Sequence, residues 1–157
     1  MCLQTTECST CSGSGQCFIP YGFNKFFVAE YGQIYHKNLA QQNHLMMAEL
    51  YARGPIVCDF ACSDDFVYNY KGGIYEDTTG FMDIDHLVSV SGWGEEKGKP
   101  FWHVRNTWGV HWGEDGWFRI VRGKNNLAIE HQCTWAVANH SNFDDWKFEQ
   151  YLKKQSK

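Results

Sequence analysis

Ile84-Asp85-His86-Leu87-Val88-Ser89-Val90-Ser91-Gly92-Trp93-Gly94 and Asn106-Thr107-Trp108-Gly109-Val110-His111-Trp112-Gly113-Glu114-Asp115-Gly116-Trp117 decide how this chain is read. His86 opens an alternating strand, and Phe101-Trp102-His103-Val104-Arg105-Asn106 forms the next one. Glu95-Glu96-Lys97-Gly98-Lys99 supplies the turn between them. A hairpin sets matched strand ends side by side, so the imidazole and the amide are expected to meet. An imidazole oriented by a neutral amide is the base half of a nucleophilic site. Trp108 is expected to cover that contact and keep water from it. Gly109, Gly113 and Gly116 let the chain turn beneath Trp108 and Trp112.

A lone histidine at a strand start is usually a packing or surface residue. His36, His44, His103, His111, His131 and His140 have no comparable setting and are read that way. The two motifs at this spacing are what lift His86 and Asn106 out of that class.

Working outward, 157 residues fit one domain of ordinary size. Hydrophobic residues at 43% suffice for a packed core, and 17% aromatics with seven Trp and 15 Gly favour strands and turns over a helical bundle. The net charge of −4 and the lack of a basic stripe argue against a nucleic-acid partner. No apolar run approaches the length of a membrane span.

Residues 1–20 read as a Cys-rich entry loop, 21–138 as the main domain and 139–157 as a polar tail. A strand is expected within 21–35. Asn43 is read as the N-cap of a helix that ends at Gly54-Pro55, with Met46, Met47, Leu50 and Tyr51 on its buried face. A strand follows at 55–62, and 63–80 reads as loop around Gly72-Gly73. Strands are expected at about 85–93, 100–107, 116–122 and 132–138. The whole is an α+β fold: a curled antiparallel half-barrel with one packed helix.

At these residues the chain resembles the papain family of cysteine proteases, and within it the cathepsin X/Z branch. Glu7-Cys8-Ser9-Thr10-Cys11, Met46-Met47-Ala48-Glu49-Leu50-Tyr51-Ala52-Arg53-Gly54-Pro55-Ile56, Tyr70-Lys71-Gly72-Gly73-Ile74-Tyr75 and Asn126-Leu127-Ala128-Ile129-Glu130-His131-Gln132-Cys133 carry the likeness beyond the two motifs. It spans roughly residues 2–138. The resemblance implies the right-hand, β-barrel domain of a papain-like fold. The left, helical domain and the segment bearing the nucleophilic cysteine have no counterpart among these residues. The chain is thus expected to be the C-terminal part of a precursor whose N-terminal half supplies the thiolate.

On that basis His86 is the implied general base and acid and Asn106 its orienting group. Trp108 and Trp112 are the implied site-shaping residues, with Asp85 at the cleft rim. The family needs no cofactor and no metal. The implied partners are a peptide or protein substrate and the precursor's own N-terminal half, in a lysosomal or secreted setting. The implied bridges are Cys11–Cys17 and Cys58–Cys133, with Cys2 and Cys8 paired to cysteines upstream and Cys62 left over. A zinc site at Cys2, Cys8, Cys11 and Cys17 is the rival reading of the N-terminal cluster. Asn139-His140-Ser141 is a glycosylation sequon. The rival functional reading is an inactive half-domain that binds peptides or partner proteins.

Overall fold

The structure, a computed structural model, describes residues 10–11, 16–18 and 28–138. The expectations for Cys2, Cys8, the Asn139 sequon and the 139–157 tail lie outside the described residues. The chain divides into two units, Val28–Val137 and a second made of Met1–Phe27 with Ala138–Lys157. In the second unit β1 (Thr10–Cys11) and β2 (Cys17–Phe18) pair antiparallel, with Cys11 opposite Cys17 in the backbone register. The side chains of that expected bridge lie outside the description.

The larger unit is one seven-stranded sheet with its helices. The elements are β3 (Val28–Ile34), α1 (Leu39–Arg53), β4 (Ile56–Phe60), α2 (Asp64–Asn69), β5 (Ile74–Tyr75), β6 (His86–Glu96), β7 (Lys99–Arg105), β8 (Trp117–Val121), a single 3-10 turn (Asn126–Ala128) and β9 (Cys133–Ala138). Their spatial order is β3-β9-β4-β6-β7-β8-β5. The long β6–β7 hairpin is its centre. Lys97 and Gly98 both have positive φ, 52° and 78°, the signature of a two-residue turn whose twist matches its strands. Val88 and Val90 of β6, Trp102 and Val104 of β7, and Phe118 and Ile120 of β8 alternate into the core.

Two features depart from the half-barrel expected from the sequence. The sheet is mixed, because β5 runs parallel to β8, Ile74 opposite Arg119 and Tyr75 opposite Ile120. The segment 63–80, read as loop, contains α2. Ser63 caps that helix by accepting the Phe66 N–H at 3.3 Å, and Asp64 and Asp65 stand in its first turn, where the helix dipole favours negative charge. Phe66 then joins the core, its ring 4.9 Å from Phe60, 4.9 Å from Phe118 and 5.1 Å from Trp112. The domain therefore carries two α-helices among the described residues, not one.

Helix α1 also begins earlier than expected. Asn38 is its N-cap, accepting the Gln41 N–H at 3.1 Å, whereas Asn43 lies inside the helix and donates to the Leu39 carbonyl at 3.1 Å. Met46 and Leu50 are buried as expected, and Met47 packs partly against them. Tyr51 is 88% exposed. Gln42 takes an inward place instead, because its side-chain amide donates to the Ile34 carbonyl at 3.2 Å. Gly54, with φ at 96°, ends the helix and returns its N–H to Leu50.

Cys58 and Cys133 are register partners on β4 and β9 and form the expected disulfide. On the far side of β9, Gly32 of β3 has a structural reason to be glycine. A Cβ there would lie 2.8 Å from the Trp135 indole. Glu130 is 2% exposed, and its carboxylate accepts the Trp102 indole N–H at 2.7 Å, the Gly123 N–H at 2.6 Å and the Asn125 N–H at 2.5 Å. Three donors satisfy a buried charge without a cation.

Glu76, just past β5, bridges Lys124 and Lys99. Those ammonium groups, Lys124 first, hold its carboxyl at about 2 against an ordinary 4.5. A depressed carboxyl stabilises the fold above its unfolded value and loses that contribution as the pH falls through the folded one. Glu76→Gln is therefore expected to lower the melting temperature at pH 6, with the difference from wild type closing between pH 4.5 and pH 2. Melting curves across that range check it; a difference independent of pH contradicts it.

Candidate active site

His86 is the first residue of β6 and lies opposite Phe60, the last of β4. Asn106 follows the last residue of β7 and is 5% exposed. Its backbone N–H donates to the Gly116 carbonyl at 3.0 Å, closing the loop 107–116 beneath it. Gly109 and Gly116 have φ of 88° and 90°, and Gly113 has 59°. At Gly113 a Cβ would also approach the Trp117 carbonyl to 2.6 Å, so both space and conformation demand glycine there.

The expected meeting of the two side chains occurs: His86 Nε2 lies 3.0 Å from Asn106 Oδ1. The same Oδ1 accepts the Thr107 N–H at 2.8 Å. That second bond fixes which amide atom is oxygen, because a backbone N–H cannot donate to an NH2 group. The oxygen accepts, so His86 Nε2 carries the proton. Nδ1 is then the ring atom left to exchange one, and no described residue hydrogen-bonds it.

Trp108 stacks on the His86 ring at 5.2 Å and 18°. It is held in turn by Trp112, edge-on at 4.8 Å, and by Phe66 of α2 at 6.0 Å. Trp112 donates its indole N–H to the Val67 carbonyl at 3.0 Å. The ring cover is thus a column, from imidazole through two indoles to the core. Below it, Glu114 pins the loop. Its carboxylate accepts from Arg119 at 2.7 and 3.0 Å and from the Gly73 N–H at 2.8 Å, and the Arg119 guanidinium holds it below the usual carboxylate range. Sequence reasoning passed over Glu114. Its signal was its place in Trp112-Gly113-Glu114-Asp115-Gly116-Trp117, beside the glycine that the turn requires.

Asp85 is exposed, and its Oδ1 accepts the Cys62 N–H at 2.9 Å. The Cys62 thiol is free and half-buried; burial and then the Asp85 charge push it up to about 12. A thiol in that state carries almost no thiolate at neutral pH. Asn106 Nδ2 is buried without an acceptor. Beside it opens a groove of about 550 Å³, lined by Ser89, Arg105, Thr107, Val110, Asp115 and Trp117 among others. No set of three or more His, Cys, Asp or Glu among the described residues is placed to hold a metal.

The family model of papain family cysteine protease matches residues 9–138. The chain belongs to the papain family of cysteine proteases. It is 41% identical to Cathepsin Z of Onchocerca volvulus, an alignment covering 86% of this chain and 44% of that protein. It is 46% identical to Cathepsin B-like cysteine proteinase 4 of Caenorhabditis elegans over 59% of this chain and 27% of that one. Among solved structures it is similar to proCathepsin B S9 from Trypanosoma congolense, with a TM-score of 0.62 and 33% identity over 73% of this chain and 37% of the other. The chain spans less than half the length of these curated relatives. The α+β, β-rich domain described above is the part of the papain-like fold that these residues form.

Proposed function

We propose that this chain supplies the imidazole and its orienting amide to a cathepsin Z-like cysteine carboxypeptidase of a lysosomal or secreted compartment. The nucleophilic thiol comes from a segment outside these 157 residues. The reading rests on one observation above all, the His86–Asn106 bond with its assigned proton beneath Trp108.

With Nε2–H held by Asn106, Nδ1 accepts the thiol proton. The thiolate attacks the peptide carbonyl carbon, and the imidazolium returns that proton to the nitrogen of the departing amine as the C–N bond breaks. Water then hydrolyses the thioester with Nδ1 again as base. A neutral amide suits this cycle, since it orients the ring without a competing negative charge. The charged ring lies against the electron-rich face of Trp108, which attracts a cation and excludes water. Trp112 holds Trp108 in place, and Asp85 shapes the rim through Cys62. The buried, unpartnered Asn106 amide N–H and the open groove beside it support a further protein segment packing there.

The test is labelling with a thiol-directed epoxide inhibitor, on this chain alone and on the full-length protein, with the label mapped by mass spectrometry. Modification of a cysteine outside these residues, with Cys62 untouched at neutral pH, is the expected result. A label on Cys62 overturns the assignment. No label in either sample favours the second reading, an inactive half-domain that binds peptides, for which the protonated state of Cys62 is the supporting observation.

A further inference from the structure

We infer that Glu114 is a positioning residue of the reaction: its carboxylate clamps the loop 107–116 so that Trp108 stays over the His86 ring. The inference rests on the reading of His86 as the base. It gives Glu114 a part in the rate and none in substrate binding.

The loop closes on itself through its backbone. The Asn106 N–H bonds the Gly116 carbonyl at 3.0 Å, the Trp112 N–H that of Gly109 at 3.3 Å and the Gly116 N–H that of Trp112 at 2.8 Å. Those bonds set the loop's shape, not its place against the sheet. Among the described residues, two of its side chains hydrogen-bond beyond it. Trp112 gives its indole N–H to the Val67 carbonyl at 3.0 Å. Glu114 accepts the Gly73 N–H at 2.8 Å and meets Arg119 of β8 with both oxygens, at 2.7 and 3.0 Å. A carboxylate with both oxygens on the planar guanidinium fork has one orientation, and charge-assisted bonds of this kind are the strong ones.

The far side of the clamp is itself fixed. The Gly73 carbonyl accepts the Tyr70 hydroxyl at 2.8 Å, and the Tyr70 oxygen accepts the Arg119 backbone N–H at 3.1 Å. The Tyr70 ring lies 5.4 Å from Trp112, and a Cβ on Gly113 would come within 3.2 Å of it. Trp112 stands edge-on to Trp108, and Trp108 stacks on His86. A line of contacts thus runs from the Glu114 carboxylate to the imidazole, although Glu114 touches no reacting group. Asp115, the next acid, is exposed and has no ion pair among the described residues, so negative charge as such is not what the turn uses. The Arg119 fork holds the Glu114 carboxyl below the usual carboxylate range, which keeps the clamp charged at lysosomal pH.

The test measures kcat and KM of full-length protease variants, each checked by a melting curve. Glu114→Ala is expected to lower kcat about a hundredfold, the effect of displacing a reacting group by about 1 Å, with KM within about twofold. Glu114→Gln keeps an oxygen for Gly73, loses the charged fork and falls between Glu114→Ala and wild type. Glu96→Gln removes the other partner of Arg119, at 2.5 Å and outside the loop, and leaves kcat unchanged. Added to Trp108→Ala, Glu114→Gln costs nothing further, because the ring it positions is gone. Should Glu114→Ala not fold, the Gln variant and the combined variant carry the test. A folded Glu114 variant with kcat within about twofold of wild type, or with a loss confined to KM, overturns the inference. So do equal losses in Glu96→Gln and Glu114→Gln, or a Glu114→Gln loss that multiplies with that of Trp108→Ala. A kcat that survives His86→Ala is a different failure: it overturns the reading of the base, and the inference with it.

Discussion

His86→Ala in the full-length protein is expected to lower kcat by about four orders of magnitude while KM changes little. The ring serves twice in the proposed cycle, taking the thiol proton and returning it to the amine, and no other described group stands ready to replace it. Nε2 is committed to Asn106, so both transfers pass through Nδ1. The ring is half-exposed at a strand end, and its loss leaves the buried faces of β6 intact. The melting temperature should therefore move by only a few degrees. Steady-state kinetics beside melting curves separate the two effects. An alanine variant with kcat within tenfold of wild type removes His86 from the reaction.

The second large effect is structural. The Cys58–Cys133 bridge closes a loop of 75 residues. Chain entropy assigns such a closure about 4.5 kcal/mol of stabilisation, through restriction of the unfolded chain. Replacing both cysteines by alanine should lower the melting temperature by roughly 9–18 °C. The bridge joins register partners on β4 and β9, and β9 is also the neighbour of β3, so β3 loses its anchorage as well. Calorimetry of the double variant under oxidising conditions measures this. A fall of under 5 °C would mean that the reduced chain keeps the pairing without the bond.

The reactive geometry was legible because it is written in local patterns. Alternation in 86–90 and 101–105, a Lys-Gly turn and a Trp-Gly run locate His86, Asn106, Trp108 and Trp112 without knowledge of the rest. The elements that escaped are those whose signal is short or non-local. Helix α2 has six residues, too few to display a helical period, and the glycines at 72 and 73 mask its Ser-Asp-Asp start. The cap of α1 was read at Asn43 rather than Asn38, because Gln41 and Gln42 break the apolar pattern of the first turn, and Gln42 is buried by a hydrogen bond and not by hydrophobicity. The parallel pairing of β5 with β8 joins residues more than forty positions apart.

The position of β9 between β3 and β4 also sets a schedule for synthesis. Neither neighbour can complete its pairing until residues 133–138 have left the ribosome. At 5–20 residues per second the 75-residue gap between Cys58 and Cys133 takes roughly 4–15 s to make. Throughout that interval the Cys58 thiol is exposed to every other nascent cysteine, and Cys62 stands four positions away. Wrong bridges formed then would have to be undone before the sheet could close. Production of the active protein should therefore be sensitive to disulfide isomerisation as well as to oxidation.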